Sequence, residues 1–337
     1  MSEEPPDFEP TGLGQVRFRD LGLTMAGTAL EPILDEFAGE LGAAGITRVT
    51  PRFYLSTEWG VPFETVAVAI PYYLARPDLA AFHADRTGLV EGTDRGDILR
   101  YLRHEMGHVV NYAYKLYERP DWIAAFGSIT QPYVEEYRPR PWSTGFVRHL
   151  PGWYAQKHPD EDWAETFAVW MTPGLDWRAD YAPWPAALAK LELCQAMMAE
   201  LRERDPIVTD DELDEEVGEI DYTIDDYYDE AEPERGEFPP GLAGALRTIF
   251  AEMPATDGAA RASALILGHA GALARSVFTW TGHFPEHTRA LLRHLAELAD
   301  QLTLAYPAAR QGDALVALTA LVTSLAVNHA QSGSYTP

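Results

Sequence analysis

Residues 97–117 read Asp97-Ile98-Leu99-Arg100-Tyr101-Leu102-Arg103-His104-Glu105-Met106-Gly107-His108-Val109-Val110-Asn111-Tyr112-Ala113-Tyr114-Lys115-Leu116-Tyr117. Apolar residues at Ile98, Leu102, Met106, Val109 and Val110 fall on one helical stripe, which predicts a long helix with Asp97 as its N-cap. His104 and His108 are four residues apart, so a helix sets both imidazoles on one face, about one turn from each other. That spacing suits two ligands of one tetrahedral zinc ion. Glu105 lies on the neighbouring flank, out of reach of the metal but within reach of a water beside it. The competing account is an amphipathic helix carrying two exposed histidines, since so short a motif also arises by chance.

A third ligand separates these accounts. A histidine-only set would continue the helix with glycine at 111 and histidine at 114, but these positions hold Asn111 and Tyr114. Downstream, His158-Pro159-Asp160-Glu161-Asp162-Trp163-Ala164-Glu165-Thr166-Phe167-Ala168 reads as a second helix running to about Met171. Pro159 and Asp160 suit its first turn, and Glu161 and Glu165 share one face. Two such carboxylates divide labour naturally: one binds metal, the other accepts a hydrogen bond from a ligand histidine and fixes its tautomer. Read alone, the stretch is also an ordinary acidic helix start.

The pairing of His-Glu-Met-Gly-His with Pro-Asp-Glu-Asp-Trp-Ala-Glu-Thr-Phe-Ala resembles the bacterial zinc-binding metallopeptidases, and is more distantly similar to the catalytic core of anthrax lethal factor. Both are gluzincins, with an HExxH helix and a glutamate ligand, and the resemblance runs over roughly residues 45–175. It implies zinc on His104, His108 and Glu161, with Glu165 behind a ligand histidine. It further implies Glu105 as general base and Tyr154, in Gly152-Trp153-Tyr154-Ala155, as a donor to the transition state. The fold it implies is an α+β, zincin-like metalloprotease domain, and the substrate a peptide or protein.

The rest of the chain bounds this reading. The formal charge of −26 over 337 residues argues against nucleic acid and against an anionic membrane surface as partners. A content of 46% hydrophobic residues is enough for a sizeable core. The single cysteine, Cys194, allows no internal disulfide and reads as a core helix residue. The first residues lack the pattern of a signal peptide, and no stretch reads as a membrane span, so a cytoplasmic protein is expected.

Four segments follow from composition. Residues 1–20 are acidic and proline-bearing, and are expected to be flexible. Residues 21–203 form the catalytic domain, with helices over 21–44, 78–85 and 185–203, strands over 48–58 and 65–74, and an irregular connection over 118–157. Residues 204–238 hold a dense run of acids and read as a linker or surface arm. Residues 239–337 are alanine- and leucine-rich and predict three or four helices, a candidate surface for a protein partner.

Other residues carry less. Arg138, Arg140, Arg148 and His149 could bind a substrate carboxylate or simply pair with the chain's many acids. His158, before a proline, reads as positional. His283 and His287 share the i, i+4 spacing but lack the glutamate, and read as surface or structural residues. The strand 65–70 could line a cleft and pair with substrate, or be buried. Two rival functions remain: a zinc hydrolase of a non-peptide amide or small metabolite, and a non-catalytic binding module. A scaffold alone has no need of Glu105 and Tyr154 beside the ligands.

Overall fold

The computed structural model describes residues 12–87, 89–134, 137–230, 238–239, 241–252 and 258–336. The chain divides into two compact units, residues 1–83 with 90–231, and residues 84–89 with 232–337. The architecture is mostly helical, with few strands.

In the first unit, α1 (Leu30–Ala44) buries Leu30, Ile33, Phe37 and Leu41 along one stripe and stops at Gly45, whose φ of 80° only glycine adopts freely. Strands β1 (Arg52–Ser56) and β2 (Ala67–Pro71) pair in parallel, Arg52 opposite Ala67. All five residues of β2 are buried. On its other edge Ala69 N–H donates to the Gly60 carbonyl at 2.8 Å. Of the two readings of this strand, burial is the one that its residues show. After α2 (Pro77–Thr87) comes α3 (Arg95–Ala113), the central helix. Its N-cap is Asp94, not Asp97: the Asp94 carboxylate accepts from Asp97 N–H at 3.0 Å. The Asp97 carboxylate instead accepts from Gly92 N–H, at 3.0 Å. The helix ends before the expected Tyr117, because Lys115 turns into the left-handed region at φ 50°.

Then follow α4 (Pro120–Phe126), α5 (Pro159–Met171), α6 (Trp177–Tyr181), α7 (Pro185–Leu201) and α8 (Ile224–Glu230). The connection read as irregular thus holds α4 and a 3-10 segment, Pro151–Gln156, in which Gly152 and Trp153 have positive φ. Proline opens α5, and the His158 side chain accepts from Asp160 N–H. The unit is organised by α3 crossing α5. A Cβ on Gly107 would lie 2.7 Å from Ala164 Cα, so the two backbones touch where any larger residue would hold them apart. Trp163 is fully buried beside this contact and donates its indole N–H to the Gly107 carbonyl at 2.8 Å.

Two expectations from composition need correcting here. Of the segment expected to be flexible, residues 12–20 are folded and the rest lie outside the described residues. Leu13 and Phe18 are buried, and Phe18 meets Tyr72 edge-on with ring centres 4.8 Å apart. The acidic stretch is also no free linker as far as Glu230. Val217, Ile220, Ile224 and Tyr228 sink into the first unit's core, and Phe18 N–H donates to the Tyr222 carbonyl at 3.3 Å. Between them Glu219, Asp221 and Asp226 are exposed. Charge density hid a sparse apolar stripe, and a few fully buried aliphatic and aromatic side chains, each contributing roughly 1.5–3 kcal/mol, suffice to pin a chain. Residues 231–237 lie outside the described residues.

The second unit holds α9 (Leu242–Ile249), α10 (Ala262–Gly268), α11 (Ala270–Thr281), α12 (Pro285–Gln301) and α13 (Gln311–Ser332). That is one helix more than the upper expectation, because α10 and α11 break at His269. A small antiparallel sheet, unforeseen from sequence, joins β3 (Ala251–Glu252), β5 (Leu304–Pro307) and β4 (Ala259–Arg261) in that order. Leu291, Leu292, Leu295, Leu318, Val322 and Leu325 fill the core. Contrary to the sequence expectation, one helical stretch, Ala308–Ser332, is long and apolar enough to cross a membrane by length and composition, although Leu318, Val322 and Leu325 are packed inside the unit.

Candidate metal centre

The crossing of α3 and α5 brings together the residues the motifs singled out. His104 Nε2 lies 3.0 Å from Glu161 Oε2. His108 Nε2 lies 3.3 Å from the same oxygen. The two imidazole Nε2 atoms are 3.2 Å apart. These three residues, all buried, form a group that could hold a metal ion. A tetrahedral zinc site with bonds of about 2.0–2.1 Å has ligand–ligand edges of about 3.3 Å, so the three separations match one face of such a site.

The far nitrogens are also held. His104 Nδ1 meets Glu165 Oε1 at 3.0 Å. Glu165 is further fixed by the backbone amides of His149, at 3.1 Å, and Leu150, at 3.0 Å to the same oxygen. His108 Nδ1 meets Asp160 Oδ2 at 3.1 Å. Asp160 in turn accepts from Asn111 Nδ2 at 2.7 Å and from the Tyr112 hydroxyl. Each imidazole thus has a carboxylate behind it, which leaves Nε2 as the nitrogen turned to the shared centre. Asp160 was read only as a first-turn acid, and its pairing with His108 has no signature in a linear motif.

Electrostatics follow from burial. Burial alone would lower the pKa of His104, but the carboxylates of Glu161 and Glu165 outweigh it and hold the imidazole up at about 9. Burial acts the same way on His108 and is again outweighed, here by Asp160 and Glu161. Burial pushes Glu161 upward, and the two histidines more than reverse this, so its carboxyl lies well below the usual range. Glu105 is raised, because burial outweighs the pull of His104 and His108. A raised carboxylate is a better proton acceptor near neutral pH.

Tyr154 stands against His104 with ring centres 5.5 Å apart. Its hydroxyl lies 3.3 Å from that of Tyr133, which donates to Glu161 Oε1 at 2.6 Å. Tyr133, from the loop after α4, escaped the sequence reading, since nothing marks it among the loop's aromatics. His158 is positional as read: its Nε2 lies 3.0 Å from the Gln131 carbonyl. Arg138 and Arg140 are exposed, whereas Arg148 and His149 line a separate cleft described below. His283 is buried, with Nδ1 at 2.7 Å from Thr288 Oγ1 and Nε2 at 3.0 Å from the Tyr335 hydroxyl. Cys194 is buried, and burial pushes its thiol pKa up.

A buried two-histidine, one-carboxylate group on crossed helices fits a metallopeptidase-like domain. Residues 73–176 match the family described as "Putative zinc-binding metallo-peptidase", the family that the motifs resemble. No curated protein and no solved structure matches the chain.

Proposed function

We propose that the protein is a zinc-dependent hydrolase of peptide bonds, of the gluzincin type on a zincin-like domain, with the metal held by His104, His108 and Glu161. The observation that carries this is the triangle of two Nε2 atoms and one carboxylate oxygen at 3.0, 3.2 and 3.3 Å, with a carboxylate behind each imidazole. When bound, zinc supplies Lewis-acid chemistry, polarising a carbonyl and making water acidic enough to lose a proton at a pKa of about 7.

The chain's own residues do the rest. Glu105, raised by burial beside the ligand pair, takes the proton from the attacking water and passes it to the departing amine. Tyr154 keeps its hydroxyl proton, since burial and then Glu161 hold its pKa well above the ordinary value. It donates that proton's hydrogen bond to the carbonyl oxygen as charge gathers there. Glu165 holds His104 in the ligating tautomer by its hydrogen bond, and Asp160 places a negative charge beside His108 Nδ1. The substrate is a peptide or protein.

The test is Glu105→Gln, with zinc content measured by elemental analysis and turnover on a library of quenched fluorescent peptides. We expect zinc to stay at the wild-type level and turnover to fall by about 10²-fold or more. Full activity in that variant would refute the assignment.

A further inference from the structure

We propose that a cleft in the first unit, distinct from the metal centre, binds an organic carboxylate through Arg148. The cleft holds about 560 Å³ and lies between α3, the end of α5 and the α6–α7 corner. Arg100, Arg103 and Arg148 all line it, opposite a single acid, Asp180. Three guanidiniums in one cleft are unexpected in a chain of charge −26.

The three are not equivalent. Arg103 is taken up by Glu40 at 2.7 Å, and Arg100 lies 3.6 Å from Asp97. Arg148 pairs with no carboxylate among the described residues. Its guanidinium lies over the Trp153 ring at 3.8 Å and over the Trp184 ring at 4.6 Å, and one Nη2–H donates to the Pro141 carbonyl at 2.7 Å. Partial burial lowers its pKa, while the residue as a whole stays exposed and so open to an incoming anion. Both indoles thus pack against the guanidinium. Apart from the N–H given to Pro141, its donors are of the kind that grip a carboxylate by two parallel bonds.

The walls choose among anions. Val169, Leu175, Tyr181 and Trp184 supply apolar surface, which a bare inorganic ion cannot use. Asp180 disfavours a multiply charged phosphate. An organic monocarboxylate satisfies both, whether it comes from a peptide C-terminus or from a free organic acid. The cleft is backed by the segment that supports the metal centre: His149 Nε2–H donates to the Arg100 carbonyl at 2.9 Å, while the His149 amide holds Glu165. Binding at Arg148 does not depend on the protein being a peptidase.

Isothermal titration of the full chain tests this with N-acetylphenylalanine, its C-terminal amide, 3-phenylpropanoate and inorganic phosphate. We expect N-acetylphenylalanine to bind and the amide to bind at least tenfold more weakly, as the loss of a charge-assisted bond pair implies. Equal binding of 3-phenylpropanoate supports the proposal with a free acid as the source. Binding of N-acetylphenylalanine alone supports it with a peptide terminus. Arg148→Gln should abolish the signal. Arg148→Lys keeps the charge but not the fork, and should weaken binding tenfold or more while the protein stays folded by circular dichroism. The proposal is overturned if the amide binds as well as the acid, if phosphate alone binds, if nothing binds, or if Arg148→Lys binds like wild type.

Discussion

Replacing Gly107 by alanine probes the contact on which the whole centre depends. The added Cβ would sit 2.7 Å from Ala164 Cα, 3.1 Å from the Ala164 carbonyl oxygen and 3.2 Å from its Cβ. Carbon–carbon contact is comfortable at about 3.5–4.0 Å, so α5 must withdraw by roughly 1 Å. The obstacle is backbone, which no rotamer change can clear. Overpacking of this kind costs about 1–3 kcal/mol. The better helix propensity of alanine returns about 1 kcal/mol, so the net loss of stability is expected to be small, roughly 0–2 kcal/mol. The effect on the metal centre is larger in proportion. Glu161 rides on α5, and its distances of 3.0 and 3.3 Å to the two Nε2 atoms would open toward 4 Å, roughly, off the edge length of a tetrahedral site. Zinc affinity should fall by about 10- to 100-fold, as when a residue that orients a ligand is lost. Competition with a fluorescent chelator measures this, and thermal unfolding with and without zinc measures stability. Gly39→Ala is the control, because Gly39 lies within α1 and a Cβ there meets nothing within 4 Å. It should stabilise by about 0.5–1 kcal/mol and leave zinc binding alone. If Gly107→Ala behaves like Gly39→Ala, the close crossing of α3 and α5 is not what sets the ligand triangle.

Two further outcomes check the division of labour and the second unit. Glu161→Ala should lose zinc in elemental analysis, whereas Glu165→Gln should keep it with affinity lower by about 10- to 100-fold; the reverse order would exchange their roles. His283 has its pKa pushed down to about 3, by burial first and then by His329 and His287. The unfolded chain takes up that proton near 6.5, roughly, and the folded one only near 3, so stability is full above pH 6.5 or so and falls as pH drops through that window, by up to about 1.4 kcal/mol per pH unit. Hydrogen exchange of α12 amides over a pH series should follow this slope, and His283→Gln should flatten it; an unchanged slope would remove His283 as the cause.

Local pattern by itself singled out the residues of the candidate metal centre. The i, i+4 spacing of His104 and His108 and of Glu161 and Glu165 fixes faces on helices, since a helix repeats every 3.6 residues whatever surrounds it. Asp94 rather than Asp97 as the cap of α3 is a small miss of the same local kind. Which glutamate faces the two Nε2 atoms was not local, because both share one face of α5. It was decided by two backbone amides, His149 and Leu150, that come to Glu165 from a turn far from α3 in sequence. Asp160 behind His108 and Tyr133 on Glu161 are likewise products of the crossing. The acidic stretch misled for the opposite reason: composition averages over a segment, while burial depends on where single apolar side chains such as Ile224 and Tyr228 land. Gly107 joins the two levels. In sequence it is an unconstrained position between two histidines, and only the packed α5 backbone at its Cα makes it the residue that lets the candidate ligands meet.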